Sequence, residues 1–153
     1  MDDSFDLVFC RSAVHHFPRP ERAVAEMARV CRPGGRVVIS DLMAPSAAER
    51  QAFDDLHRLM DPSHPGALLE RELVELLTSH VGAVTFTETA GPFTLSIDHI
   101  LTEAGDRATV MAALRAELDG GPTSGFNPVI DPNDDDGVLV SFSSTVLHAT
   151  RPE

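Results

Sequence analysis

The chain contains no lysine, tryptophan or tyrosine, so all 12 of its basic residues are arginines. Against 24 acidic residues they leave a formal net charge of −12, which repels phosphate backbones and anionic lipids. We therefore expect neither nucleic acid nor a membrane surface as a partner. No apolar run approaches the ~18 residues of a membrane span, and no charged-then-apolar leader opens the chain. These absences predict a cytoplasmic protein.

Cysteine is scarce as well. Cys10 and Cys31 stand alone, one in a strand pattern and one in a helix pattern, without metal-ligand or redox spacing. We interpret them as reduced core cysteines. The 153 residues suffice for one domain of ordinary size, and the 42% hydrophobic content predicts a real core.

Two ligand motifs are missing or incomplete. There is no G-x-G-x-x-G, and the sequence RPGGR follows a helix pattern instead of a strand. The interpretation as a nicotinamide-dependent oxidoreductase is weaker for this reason. The sequence DPNDDDG resembles a calcium loop, with Asp131, Asn133 and Asp135 at alternating positions. Its glycine, Gly137, comes one residue late, and Phe142 occupies the position of the bidentate glutamate. We expect no metal.

What is present begins with a strand, helix and strand. Residues 5–10 form a continuous apolar run apart from one aspartate, typical of a strand covered on both faces. Pro20 and Glu21 open a helix that the sequence PGG ends, and residues 36–40 form the next strand. Such a unit predicts two parallel strands, with ligands beyond their carboxyl ends. Those ends are residues 10–16 and 40–45.

Further elements follow in order along the chain. Ser46 is expected to cap a helix that ends at the sequence DPSHPG. Gly82 is expected to end the next helix, which precedes the third strand. The predicted elements are helices at 45–60, 68–80, 96–101 and 107–118, a strand at 83–89, a polar connection at 119–137 and a closing strand at 138–150.

Residues 5–45 closely resemble the second half of class I S-adenosylmethionine-dependent methyltransferases, in the small-molecule branch that includes quinone-biosynthesis C-methyltransferases. The combination of strand, HH, helix, RVCRPGG, strand and an Asp-x-x-x-Pro turn carries the resemblance, and it continues more loosely to the final strand. The resemblance implies an α/β fold: a partial Rossmann-like sheet of the last four strands, the final one antiparallel, with flanking helices.

The resemblance also implies what this sequence lacks. The complete sheet of that family has seven strands. A glycine-rich turn after the first of these seven strands cradles the methionine end of the cofactor, and an acidic residue after the second binds the ribose. Neither is present, so residues 1–153 are interpreted as the C-terminal part of a methyltransferase domain. Met1 is then an internal methionine of a longer reading frame, or the gene is truncated.

The cofactor implied is S-adenosyl-L-methionine. By the resemblance, the turn after the first strand contacts its amino-acid portion through Cys10, Arg11, Ser12 and Ala13, largely by backbone, with His16 nearby. For Arg11 the alternative is a solvated charge at the end of a strand.

Candidates for the reaction itself are His16 and His64. A sulfonium methyl is already electrophilic, so a base is optional; His16 has a side chain of suitable pKa, although His15 and His16 also suit packing and helix capping. Asp41 is expected either to orient substrate or to accept hydrogen bonds from the turn that follows it. The resemblance places Ser63 and His64 over the substrate pocket, and a structural turn is the alternative.

A loose cluster of His57 and His64 with Asp54 and Asp61 invites a metal interpretation. Pro62 interrupts the spacing, so a surface helix end explains the cluster better.

Two functions remain open. The first is methyl transfer from S-adenosylmethionine to a small molecule, with this chain incomplete or inactive alone. The second is a non-catalytic dimerisation or binding module, because residues 5–10 would form an exposed edge strand that recruits a second copy. The DNA upstream of the start codon separates them: an in-frame strand and glycine-rich turn favour the first, and a nearby stop codon favours the second.

Overall fold

The computed structural model describes residues 2–134 and 136–153, so Met1 and Asp135 lie outside the described residues. In chain order the elements are β1 (Phe5–Arg11), α1 (Pro20–Val30), β2 (Cys31–Leu42), α2 (Arg50–Met60), α3 (Glu70–His80), β3 (Val84–Ser96), α4 (Arg107–Leu118), β4 (Val129–Ile130) and β5 (Val138–Thr150). The chain divides into two compact units, residues 1–43, 68–90 and 144–153 in unit 1 and residues 44–67 and 91–143 in unit 2.

Unit 1 contains the predicted strand-helix-strand unit. β1 pairs parallel to β2, and β2 pairs antiparallel to β5. The strand order is β1-β2-β5-β3, so the expected position of the closing strand between the second and third strands is confirmed. The core of unit 1 is apolar and includes Val24, Val37, Leu73 and Leu147.

α1 begins at Pro20, whose fixed φ suits the first helical position, and Glu21 complements the positive end of the helix. It ends at Val30. The prediction that Cys31 belongs to this helix is wrong: Cys31 is extended, fully buried and paired opposite Phe5. A register shift between Phe5 and Leu7 lets the strand pairing continue past the PGG sequence.

Unit 2 contains α2 and α4, which pack together, along with β4 and the adjoining parts of β3 and β5. Ser46 Oγ accepts from the Glu49 backbone amide and donates to the Glu49 carboxylate, so it caps the turn that leads into α2. Asp106 caps α4 by accepting from Thr109 N.

Two predictions in unit 2 need correction. The helix expected at residues 96–101 is a single 3-10 turn at Ile97–His99, because Ser96 Oγ accepts from Asp98 N and Thr102 N turns away to Met60 O. The connection expected at residues 119–137 contains β4, which pairs with β5. Two residues are too short a strand for a periodic pattern to show.

β1 is the edge of its sheet and pairs with β2 alone among the described strands. Val8 and Cys10 pack toward the core of unit 1. The alternate side chains Phe5, Leu7 and Phe9 are 49%, 57% and 57% exposed. An apolar row of this kind on an edge strand favours association.

Candidate functional site

The turn after β1 and the end of β2 meet in unit 1. Arg11 pairs with Ser40 in the parallel register, which places Asp41 beside the residues that follow β1. Ser12 N donates to Ser40 O at 2.8 Å. The sequence predicts both segments at one ligand-binding edge, and the structure brings them together.

Asp41 lies within β2 and its side chain is fully buried. One carboxylate oxygen, Oδ2, accepts from the backbone amides of Ala13, Val14 and His15 at 3.2, 2.5 and 3.2 Å. The other, Oδ1, contacts His15 Nδ1 at 2.5 Å and accepts from Leu42 N at 2.8 Å. The carboxylate therefore binds the turn after β1, on the neighbouring strand, more extensively than the residue that follows it.

The surroundings of Asp41 favour its ionised form. Burial would raise the pKa of this carboxyl, but the hydrogen bond and charge of His15, together with the amides of Leu42 and His15, outweigh it and hold the pKa below its ordinary value. Burial, followed by the charge of Asp41, raises the pKa of the Cys10 thiol. Burial is also the largest cause of the raised pKa of Cys31. Both cysteines are free and buried, which confirms the interpretation as core cysteines.

Every amide from Ser12 to His16 donates within unit 1, since His16 N completes the set by donating to Ala13 O. These amides are therefore not available as donors to a ligand at this turn. Arg11 and Ser12 are exposed there, and His16 is half-buried with its ring centroid 4.1 Å from that of His15.

Ser12 has a φ of 48°, in the left-handed region that serine seldom occupies. Such a conformation persists where the surroundings hold it. The bonds from Ser12 N to β2 and from the next three amides to Asp41 surround this residue on both sides.

Ser63 and His64 belong to unit 2, whereas Asp41 and the turn after β1 belong to unit 1. Ser63 is exposed, and its amide donates to Asp61 Oδ1. The side chain of His64 is 0% exposed and its Nε2 lies 2.8 Å from Asp54 Oδ1, which also accepts from Ala67 N. The Asp54 carboxylate thus ties the loop after α2 back onto that helix.

His57 adds to this arrangement. Its ring stacks on that of His64 with centroids 3.9 Å apart and planes 17° apart, and Phe53 and Phe126 stack beside them at 4.4 Å. His57, His64 and Asp54 are all buried. The expectation of a surface helix end was therefore wrong. The sequence signal was available, since Asp54 and His57 share one face of α2 at three-residue spacing.

In the part of the chain that the structure describes, no three His, Cys, Asp or Glu side chains converge as a metal ion would require. In the acidic loop, Asp131 Oδ1 accepts from the backbone amide of Asn133, and Asp135 lies outside the described residues.

The fold is similar to that of solved methyltransferases, and the sequence match is confined to part of the chain. A family model described as "Methyltransferase domain" matches residues 1–39. A putative methyltransferase from Bacillus halodurans, solved as a crystal structure, superposes with a TM-score of 0.78 at 23% identity, covering 100% of this chain and 67% of that one. The family model and the superposed structure confirm the resemblance to methyltransferases that the sequence indicated.

Two curated relatives extend the comparison. The uncharacterized methyltransferase YcgJ of Bacillus subtilis is 47% identical over 64 residues, which are 41% of this chain and 25% of that protein. The demethylmenaquinone methyltransferase of Clavibacter sepedonicus is 30% identical over 86 residues, covering 56% and 31%. The chain therefore matches less than a third of the length of each.

The lowered pKa of Asp41 predicts a specific acid dependence. Its contribution to stability is complete above the unfolded pKa of ~3.9 and is lost as the pH falls through the lower folded value. We expect Asp41→Asn to lower the free energy of unfolding at neutral pH and to flatten its decline below about pH 4. Urea titrations between acid and neutral pH measure this. Parallel acid limbs for the two proteins would contradict it.

The Asp54 contacts predict a large stability effect at one of two adjacent aspartates. Asp54→Ala leaves His64 Nε2 and the Ala67 amide buried without this acceptor, so we expect a loss of about 2 to 4 kcal/mol in unfolding free energy. Asp55 is the matched control, since it is 60% exposed and pairs with Arg58 at the surface. Asp55→Ala should cost no more than about 0.5 kcal/mol. Equal losses would show that the buried contact contributes little.

Proposed function

We propose that this chain takes part in S-adenosylmethionine-dependent methyl transfer to a small molecule, as the C-terminal part of a class I methyltransferase domain. The observation that carries the proposal is the turn at residues 11–16, held at the carboxyl end of β1 beside the end of β2. The strand order β1-β2-β5-β3 with an antiparallel last strand supports it, as does the family match at residues 1–39.

The groups at this turn suit the methionine end of the cofactor. That end carries an ammonium and a carboxylate. We propose that carbonyl oxygens of the turn accept from the ammonium and that the exposed guanidinium of Arg11 binds the carboxylate, because the amides of the turn already donate within the chain. We assign cofactor contact to Cys10, Arg11, Ser12 and Ala13, with His16 at the border. Cys10 contributes through its backbone, because its thiol is buried in the core.

A bound S-adenosylmethionine would supply an electrophilic sulfonium methyl group to the acceptor, with the thioether sulfur as its leaving group. The chain's own part is to orient the methionine end at the turn and to exclude water. Where the acceptor atom carries a proton, we assign its removal to the ring of His16. His64 is a weaker base candidate, because its side chain is fully buried against Asp54. A substrate-contacting role for Ser63 and His64 stays a prediction.

The acceptor is proposed to be a small molecule. The relative named as a demethylmenaquinone methyltransferase supports a quinone-like ring as one class of acceptor.

Two free, buried cysteines suit a reducing compartment, so we propose the cytoplasm. Among the described residues no helix is long and apolar enough to cross a membrane.

Cofactor affinity tests this proposal. If the rest of the site is supplied by a further segment, residues 1–153 alone should bind S-adenosylmethionine hardly at all, because each missing directed hydrogen bond removes about 1 to 3 kcal/mol. A chimera carrying the part of B. subtilis YcgJ that precedes the matched region should regain binding. Calorimetry compares the two proteins. Micromolar binding by the 153 residues, or none by a folded chimera, would contradict the proposal.

A second function, a dimerisation or binding module, is favoured by the exposed row of Phe5, Leu7 and Phe9 on an edge strand. We expect the chain to dimerise or aggregate through β1, and Phe9→Asp to reduce this. Phe93→Asp is the control, since Phe93 is 45% exposed on β3. Light scattering at high concentration measures the mass. A monodisperse wild-type monomer would refute the association.

A further inference from the structure

We propose that Asp41 is a positioning residue, which holds the turn at residues 12–16 in its cofactor-binding conformation without itself touching cofactor or substrate. The inference rests on the proposed function and deepens it. It also chooses between the two roles that the sequence left open for Asp41.

The first step is the saturation of the carboxylate. Two oxygens receive the amides of Ala13, Val14, His15 and Leu42 and the ring nitrogen of His15. A carboxylate has about four lone-pair sites. Since Asp41 is also fully buried, neither oxygen is available to a ligand. A substrate-orienting role would require Asp41 to give up contacts with the turn.

The second step is the dependence of the turn on this acceptor. Val14 and His15 are buried, so their amides need a partner, and Asp41 provides one for both. The turn also contains Ser12 at a φ of 48°, a conformation maintained by its neighbours. Without the carboxylate, we expect the amides to seek other acceptors and the turn to change shape.

The third step links this anchor to the ligand-facing groups. Arg11, Ser12 and His16 flank the three anchored amides on either side. His15 is bonded to Asp41 and its ring lies against that of His16, so one carboxylate fixes both the backbone and the neighbouring ring. Asparagine has the same shape, but it offers one acceptor oxygen and points an N–H group at other donors.

The experiment uses NMR as the readout. Amide exchange is measured on the 153-residue chain, and cofactor titration is carried out on the chimera with the preceding part of B. subtilis YcgJ. Amide hydrogen exchange at Ala13, Val14 and His15 reports the anchor, and titration with S-adenosylmethionine to concentrations on the order of millimolar reports weak binding. We expect Asp41→Asn to accelerate exchange at these amides, to remove the downfield Nδ1 proton signal of His15, and to weaken binding by about tenfold or more.

Asp54→Asn is the matched control, since it alters another buried aspartate–histidine pair. It should leave exchange at residues 13–15 and the binding shifts unchanged, although it lowers stability. If Asp41→Asn fails to fold, His15→Asn removes only the ring contact to Asp41 and should weaken binding by a smaller factor while the amides stay protected.

The outcomes separate the two claims. Titration of the otherwise wild-type chimera without shifts at residues 10–16 refutes the proposed function, and the positioning role with it. If the otherwise wild-type chimera binds S-adenosylmethionine and Asp41→Asn, or His15→Asn in its place, binds it with equal affinity, the positioning role alone is refuted. Unchanged amide exchange in Asp41→Asn refutes it as well.

Discussion

One buried carboxylate connects the two halves of the candidate site. Asp41 stands on β2, and its hydrogen bonds reach 26 to 28 residues back along the chain to the turn after β1. Parallel strands leave their carboxyl ends at one edge of a sheet, where loops diverge unless something joins them. Here the joining group is an anion held by four backbone amides and an imidazole, an arrangement that also keeps it ionised.

This contact holds the backbone amides of the turn on one carboxylate. The amides of the turn donate within the chain, so we propose that it recognises a ligand through carbonyl oxygens and the side chains of Arg11, Ser12 and His16. That set favours a cationic amino group and a carboxylate over an isolated phosphate, which amide donors would serve better. Unit 2 uses a comparable device, Asp54 with His64 and the Ala67 amide, to hold its own loop against α2.

Much of the fold follows from local patterns. The apolar run of β1, the proline start of α1 and the β-branched residues of β2 and β5 predicted their elements, and the family resemblance supplied the strand order. Cys31 was misplaced because helix periodicity runs on past Val30, while pairing with Phe5 draws it into the sheet. The partners of Asp41 were beyond prediction, since they depend on the register that sets Arg11 opposite Ser40. The burial of His57 and His64 depends likewise on a loop closing over α2, which no periodic pattern records.

The central claim is that the turn after β1, anchored by Asp41, receives the methionine end of the cofactor. A crystal structure of this chain soaked in S-adenosylhomocysteine tests it most directly, because soaking at high concentration populates a weak site. The account predicts the ligand's amino-acid portion against residues 10–16, with the Asp41 carboxylate still on the amides of Ala13, Val14 and His15. Ligand bound beside Asp54 and His64 instead, or an Asp41 carboxylate turned from the amides onto the ligand, would contradict it.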